Sequence, residues 1–434
     1  MKDTGSSSDR LQAPPSRALL NLTGGSGGSG GSGAQPWLDP ESYWTSLGNA
    51  VAGVPAPAAV LELDALRFNA RDLLRRAGGV PLRIASKSLR VRGVLEALRE
   101  VPGFSGILAF TLAEALWLAG DFDDVVVGYP AADRSALRRL AENELLASRV
   151  TLMVDGEEQL DLIDSLVPPG RRPALRICLD ADASWRTRVL GFIGTRRSPL
   201  HTPEQAAELG RKVAARPGFR LVGLMMYEAQ VAGVGDAVPG AAVHNQLIRL
   251  IQRRSMAELT DRRSRIVQAL GQVADLEFVN GGGTGSIEAT AADPSVTEIT
   301  AGSGLFAGHL FGSYRSFSPA PAAAVALDVV RRPAPGFATV SGGGWIASGP
   351  PGPSRVPQIA WPQGLRLLKR EGAGEVQTPL AGAGASRLYP GDRVWLRHAK
   401  SGELSERVNE FQVVQDGQVV AVLPTYRGEG KAFL

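Results

Sequence analysis

"LRIASKSLR", residues 82–90, is a short apolar run that stops on a lysine flanked by two serines. Leu82, Ile84 and Ala85 read as strand interior, and Val91 to Arg99 then read as helix. Two accounts of Lys87 stand open at this point. It marks a strand end where a long cation reaches water, or it is a nucleophile at the mouth of a barrel. The choice depends on what surrounds the stretch.

From residue 58 to about 305, apolar runs alternate with amphipathic stretches. The runs are "AVLELD" (59–64), "LRIAS" (82–86), "GILAF" (106–110), "VVVGY" (125–129), "VTLMV" (150–154), "LRICLD" (175–180), "LVGLMMY" (221–227), "LEFVN" (276–280) and "TEITAG" (297–302). Continuous apolar strands between helices predict a parallel sheet covered on both faces. From "LRIAS" onward there are eight, the number a closed (β/α)8 barrel needs. "AVLELD" is then a ninth strand, free to join another domain. After about 316 the text turns rich in Pro and Gly, with short strand-like runs, and "DG" at 416–417 predicts a hairpin. The expected organisation is therefore a flexible tail over 1–36, a TIM-type α/β barrel over 37–316 and a C-terminal β-rich domain over 317–434. The tail carries the linker repeat "GGSGGSGGSG" at 24–33. "LDPESYWTSLGNAV" reads as a short helix with Asp39 as its N-cap.

The chain has 434 residues, 47 Lys plus Arg and 43 Asp plus Glu, a net charge of +4. The charges are interspersed, which argues against nucleic acid as a partner. No uninterrupted apolar run of about 18 residues predicts a membrane span, and the N-terminus lacks the order of a secretory signal. The one cysteine, Cys178, lies in an apolar run, so core packing and a cytoplasmic setting are expected.

Two glycine-rich loops follow the last two barrel runs: "FVNGGGTGS" (278–286) and "TAGSGLFAG" (300–308). Successive amides without side chains form anion nests, and late barrel loops are where phosphates bind. A lysine after the first strand facing two such loops suits a ligand carrying both an aldehyde and a phosphate. Pyridoxal 5′-phosphate (PLP) is such a cofactor, held through a Schiff base.

At this point the sequence resembles the fold-type III PLP enzymes, the alanine racemase-like barrels. Within them it is similar to the D-threonine aldolase and D-serine dehydratase branch, including the bacterial amino acid deaminase/aldolase group. The residues that carry the resemblance are "LELDALRFNA", "LRIASKSLR", "RRSPL", "GLMMYEAQ", "VNGGGTGS", "GAGEVQTPL" and "LRHAKSGELSERVNEF". It implies a PLP-dependent lyase that cleaves or dehydrates β-hydroxy D-amino acids, with a racemase as the alternative. It implies Lys87 as the cofactor lysine, and Gly281, Gly282, Gly283, Thr284, Gly302 and Ser303 as the phosphate cradle. Tyr227, with Glu228, would approach the ring. One of Arg188, Arg196 and Arg197 would face the ring's phenolic oxygen, with Arg188 carried as the candidate. It also implies a homodimer acting on a small amino acid, and a β domain whose first strand precedes the barrel.

The chain departs from that pattern near its end. Relatives hold a divalent metal with a His-x-Cys pair, but here the matching residues are His398, Ala399 and Lys400. A lysine ammonium is a poor metal ligand. The expectation is that Lys400 supplies the positive charge and that His398 exchanges the proton of the substrate hydroxyl. The plain alternative for His398 is a strand residue with a satisfied hydrogen bond, and a third reading is a metal ligand with different partners. For a racemase, Tyr314, Tyr389 and Tyr426 are the tyrosines beyond the barrel.

Overall fold

In the computed structural model, residues 20–24, 35–400 and 402–434 are described. The strands in chain order are β1 (Ala58–Glu62), β2 (Leu82–Ala85), β3 (Phe104–Ala109), β4 (Val125–Val127), β5 (Val150–Val154), β6 (Leu175–Asp180), β7 (Trp185–Thr187), β8 (Gly191–Ile193), β9 (Phe219–Met226), β10 (Phe278–Gly281) and β11 (Glu298–Ala301). Beyond them come β12 (Ala323–Arg331), β13 (Phe337–Ser341), β14 (Gln358–Trp361), β15 (Arg366–Leu367), β16 (Gln377–Ala381), β17 (Arg393–Arg397), β18 (Glu410–Gln415) and β19 (Gln418–Pro424).

Eight parallel strands close in the order β10-β11-β2-β3-β4-β5-β6-β9. These are the eight apolar runs counted from "LRIAS". Their runs are continuously apolar because both faces are covered, by helices outside and by packed side chains inside. The barrel floor is polar. Arg83 of β2 is 2% exposed and is held by Glu298 at 2.7 Å and Asp124 at 2.8 Å. Burial works against its charge, but the two carboxylates outweigh that loss and keep it cationic. Glu298 also accepts from Asn280, which pairs with Thr300 one layer higher.

The second sheet runs β15-β16-β13-β12-β1-β18-β19, with β17 pairing β12 and β14. β1 lies antiparallel to β12 and parallel to β18, so this early strand belongs to the late sheet. Asp416 and Gly417, both at positive φ, turn β18 into β19. Asp39 caps the helix Pro40–Ala50 by accepting from the Ser42 amide. β7 and β8 form a separate hairpin that the apolar pattern does not announce.

The GGS repeat and most of the expected tail lie outside the described residues. Leu20–Gly24 lie inside them and are packed. Leu20 and Leu22 are buried, and Arg67 and Arg71 donate to the Asn21 and Gly24 carbonyls.

Candidate functional site

A cavity of about 330 Å³ opens at the C-terminal ends of the barrel strands. Lys87 lines it from the single 3-10 turn Ser86–Ser88, which follows β2 directly. The turn is clamped on both sides. Ser86 Oγ donates to the Leu108 carbonyl, and Ser88 Oγ lies 2.9 Å from Ser303 Oγ. The Lys87 side chain is exposed, and its Nζ donates to Tyr129 Oη at 3.2 Å. Burial alone would raise the Tyr129 phenol, but Lys87 and Arg197 pull it below the ordinary tyrosine value.

Opposite the lysine, the loops after β10 and β11 are locked together. Thr284 Oγ1 accepts from the Gly304 amide at 3.0 Å. A Cβ on Gly302 would come within 2.6 Å of the Ala85 carbonyl, so only glycine lets β11 press its loop against the end of β2. The Gly282 amide donates to Glu228 and the Gly283 amide to Ser286, which shapes the turn from within. Glu228 is fully buried beneath the loop, held also by Arg263 and the hydroxyls of Ser286 and Thr290. The amides of Thr284 and Ser303 donate to no described residue, and both residues line the cavity. Those two amides and the Ser88 and Ser303 hydroxyls, with no carboxylate among them, fit an anion such as a phosphate.

Of the sequence candidates, Lys87, Tyr227, Gly282, Gly283, Thr284, Gly302, Ser303 and Lys400 line the cavity together. Four expectations change. Gly281 does not line it; as the last residue of β10 it packs below the loop, near Met226 and Arg263. Arg188 is exposed on the β7–β8 hairpin, whereas Arg197 reaches the cavity from the irregular "RRSPL" segment. Glu228 supports the loop from below and does not line the cavity.

His398 is the fourth. It is 1% exposed and does not line the cavity, and neither ring nitrogen hydrogen-bonds a described residue. Burial, with the Arg397 and His309 charges and against Glu403, pushes its pKa down to about 4. Its ring is enclosed outside the lining of the cavity that holds Lys87.

Lys400 does reach the cavity. Burial and the Arg355, Lys87 and Arg197 cations lower its pKa, with Glu403 opposing them. Tyr227 is 37% exposed on the cavity wall, and its phenol is pushed up to about 12 by the protein packed around it and by Glu228. Tyr314 Oη donates to the Ala232 carbonyl, Tyr426 Oη to Glu114, and Tyr389 is 62% exposed. None of these three lines the cavity.

Residues that sequence reasoning passed over also meet here: Tyr129, Asp180, Asp182 and Ser348. Tyr129 and Asp180 end apolar runs, the position where barrels carry chemistry, and that signal was available. Ser348 comes from a loop of the second sheet domain, and nothing local marks it.

The family described as alanine racemase, N-terminal domain, matches residues 61–308. A 3-hydroxy-D-aspartate aldolase from Paracoccus denitrificans is 24% identical over 268 residues, covering 58% of this chain and 60% of that protein. The chain thus spans about three fifths of the length of that curated relative. D-threonine aldolase from Filomicrobium marinum superposes with a TM-score of 0.72 at 21% identity, covering 87% of this chain and 96% of that one. D-threo-3-hydroxyaspartate dehydratase from Delftia sp. HT23 gives 0.65 at 22% identity, covering 87% and 98%. At these identities the two structures show the fold that is shared.

Proposed function

The chain belongs to the alanine racemase N-terminal domain family, and we propose that it is a PLP-dependent lyase acting on β-hydroxy D-amino acids. The observation that carries the proposal is the pairing of Lys87 with the Thr284–Ser303 cradle across one cavity. Lys87 would hold the cofactor's aldehyde carbon, and the cradle its phosphate. Bound there, PLP supplies an electron sink for the bond broken at Cα. The β-hydroxyl and the D configuration come from the named activities of the relatives.

The chain's own residues have separable tasks. Tyr129 accepts from the Lys87 amine and would set its direction, with Arg197 over the Tyr129 ring. Tyr227 backs the Gly283 turn, where a Cβ would meet its ring at 3.2 Å. Lys400 places a cation over the cavity, suited to a substrate carboxylate. The donor set does not fit a divalent metal. The one imidazole at the matching place is enclosed beside Arg397, and the residue two further on is a lysine. Among the described residues no group of three His, Cys, Asp or Glu is placed to hold one. A homodimer and a cytoplasmic setting complete the reading by family resemblance. Among the described residues, no helix is long and apolar enough to cross a membrane.

The test is direct. Purified protein loaded with PLP is yellow, and borohydride traps the label on Lys87. D-Threonine or D-phenylserine then yields an aldehyde for cleavage or ammonia for dehydration. A protein that PLP cannot colour, or that only racemises alanine, overturns the reading.

A further inference from the structure

With His398 enclosed, the lyase needs another group for the hydroxyl proton. The cavity-lining candidates are few. Lys87 is committed to the cofactor, and Lys400 is assigned to the substrate carboxylate. Tyr227 is a high-pKa phenol, and Tyr129 is tied to Lys87. Asp182 is engaged with the Ser184 amide at 3.1 Å and Arg186 at 2.9 Å, and its pKa is lowered despite burial. Asp180 remains. It ends β6, lines the cavity, and its carboxylate hydrogen-bonds no described residue.

We propose that Asp180 accepts the proton of the substrate's β-hydroxyl. The proposal rests on the lyase reading. The O–H bond breaks toward the carboxylate, and the oxygen's electrons form the carbonyl of the departing aldehyde. The Cα–Cβ bond pair passes to Cα, which then takes up a proton. Asp180 returns its own proton to water, so the count closes.

The setting suits the task. Asp155, from the loop after β5, and Asp182 face the carboxylate with like charge, and Arg197 faces it with opposite charge. Burial and Asp155 raise its pKa to about 7, against Arg197 and with a smaller push from Asp182. A base near the working pH is efficient in both directions of transfer.

Three measurements test this on the full chain. In the cofactor-free protein, infrared titration should show carboxyl bands that disappear as pH rises through about 7, those of Glu62 and Glu114 among them, and Asp180→Asn should remove one component while leaving the glutamate bands. In the loaded enzyme, Asp180→Asn should keep the cofactor absorbance but lose about 100-fold or more in D-phenylserine cleavage. Its exchange of the glycine Cα proton, which needs no hydroxyl base, should stay within about threefold of wild type. Asp155→Asn keeps the group and removes a facing charge, so the acid limb of kcat/KM should move below about 7. Cleavage by Asp180→Asn at near wild-type rate, or an acid limb unmoved in Asp155→Asn, overturns the proposal. A wild type that exchanges the glycine proton but cleaves no β-hydroxy amino acid overturns the lyase reading, while the infrared component removed by Asp180→Asn still reports on Asp180.

Discussion

Lys87 and Arg197 act as a pair through one tyrosine. Both draw the Tyr129 phenol below its ordinary pKa, and both line the cavity. Removing either should raise the Tyr129 pKa, which ultraviolet titration of the phenol will follow. Lys87→Ala should abolish borohydride-stable labelling while leaving the fold intact, because its side chain is exposed and packs against little. Arg197→Ala should weaken PLP binding by about tenfold, roughly the worth of one charge-assisted contact. Arg188→Ala should change it less than twofold, since Arg188 sits on the hairpin away from the cavity. The two arginines are nine positions apart in sequence, and only their placement separates them. That contrast can be read by fluorescence titration of PLP.

At the scale of elements, the cradle depends on two loops arriving at one place. A side chain on Gly302 would collide with the Ala85 carbonyl, and Thr284 holds the Gly304 amide. Gly302→Ala should force the β11 loop away from β2, separating Ser303 from Ser88. We expect a loss of about 1–3 kcal/mol in stability, as for other overpacked sites. A weaker phosphate cradle should also show as PLP affinity at least about tenfold lower. Denaturant unfolding and PLP titration measure the two separately. If PLP affinity is unchanged, the cradle is elsewhere. The glycine loops were legible in the sequence because composition and position after a strand are local features. Which amides stay open was not, because Glu228, which follows another barrel strand, takes up the Gly282 amide.

At the scale of the whole molecule, two buried glutamates sit where the late sheet meets the barrel. Glu62 ends β1 and caps the helix Leu63–Ala77 by accepting from the Ala65 amide at 2.6 Å. Glu114 accepts from the Phe110 amide and from Tyr426 of the C-terminal segment, beside the Trp117–Tyr426–Phe433 aromatic cluster. Burial raises both to about 7 from an ordinary 4.5, with their hydrogen bonds pulling the other way. The folded chain therefore binds more protons than the unfolded one between those values, and stability falls as pH rises from about 4.5 to about 7. Each group contributes at most about 3 kcal/mol to that slope. Denaturation midpoints across this range should drop in wild type and flatten in Glu62→Gln and Glu114→Gln. A flat wild-type profile would contradict it.

The amino-acid sequence by itself determined the eight barrel strands, the β-rich C-terminal part, the "DG" hairpin and the lysine at a strand end. Each rests on apolar period, turn chemistry or composition within a few residues. Only the tertiary structure decided that β1 pairs with β12 and β18. It also decided that Arg197 rather than Arg188 meets Tyr129, that His398 is enclosed, and that Asp180 faces the same space as Lys87. Those outcomes depend on how closure of the barrel brings strand ends together across more than 90 residues of chain. Closure is set by the summed packing of all eight strands, so no local pattern records it.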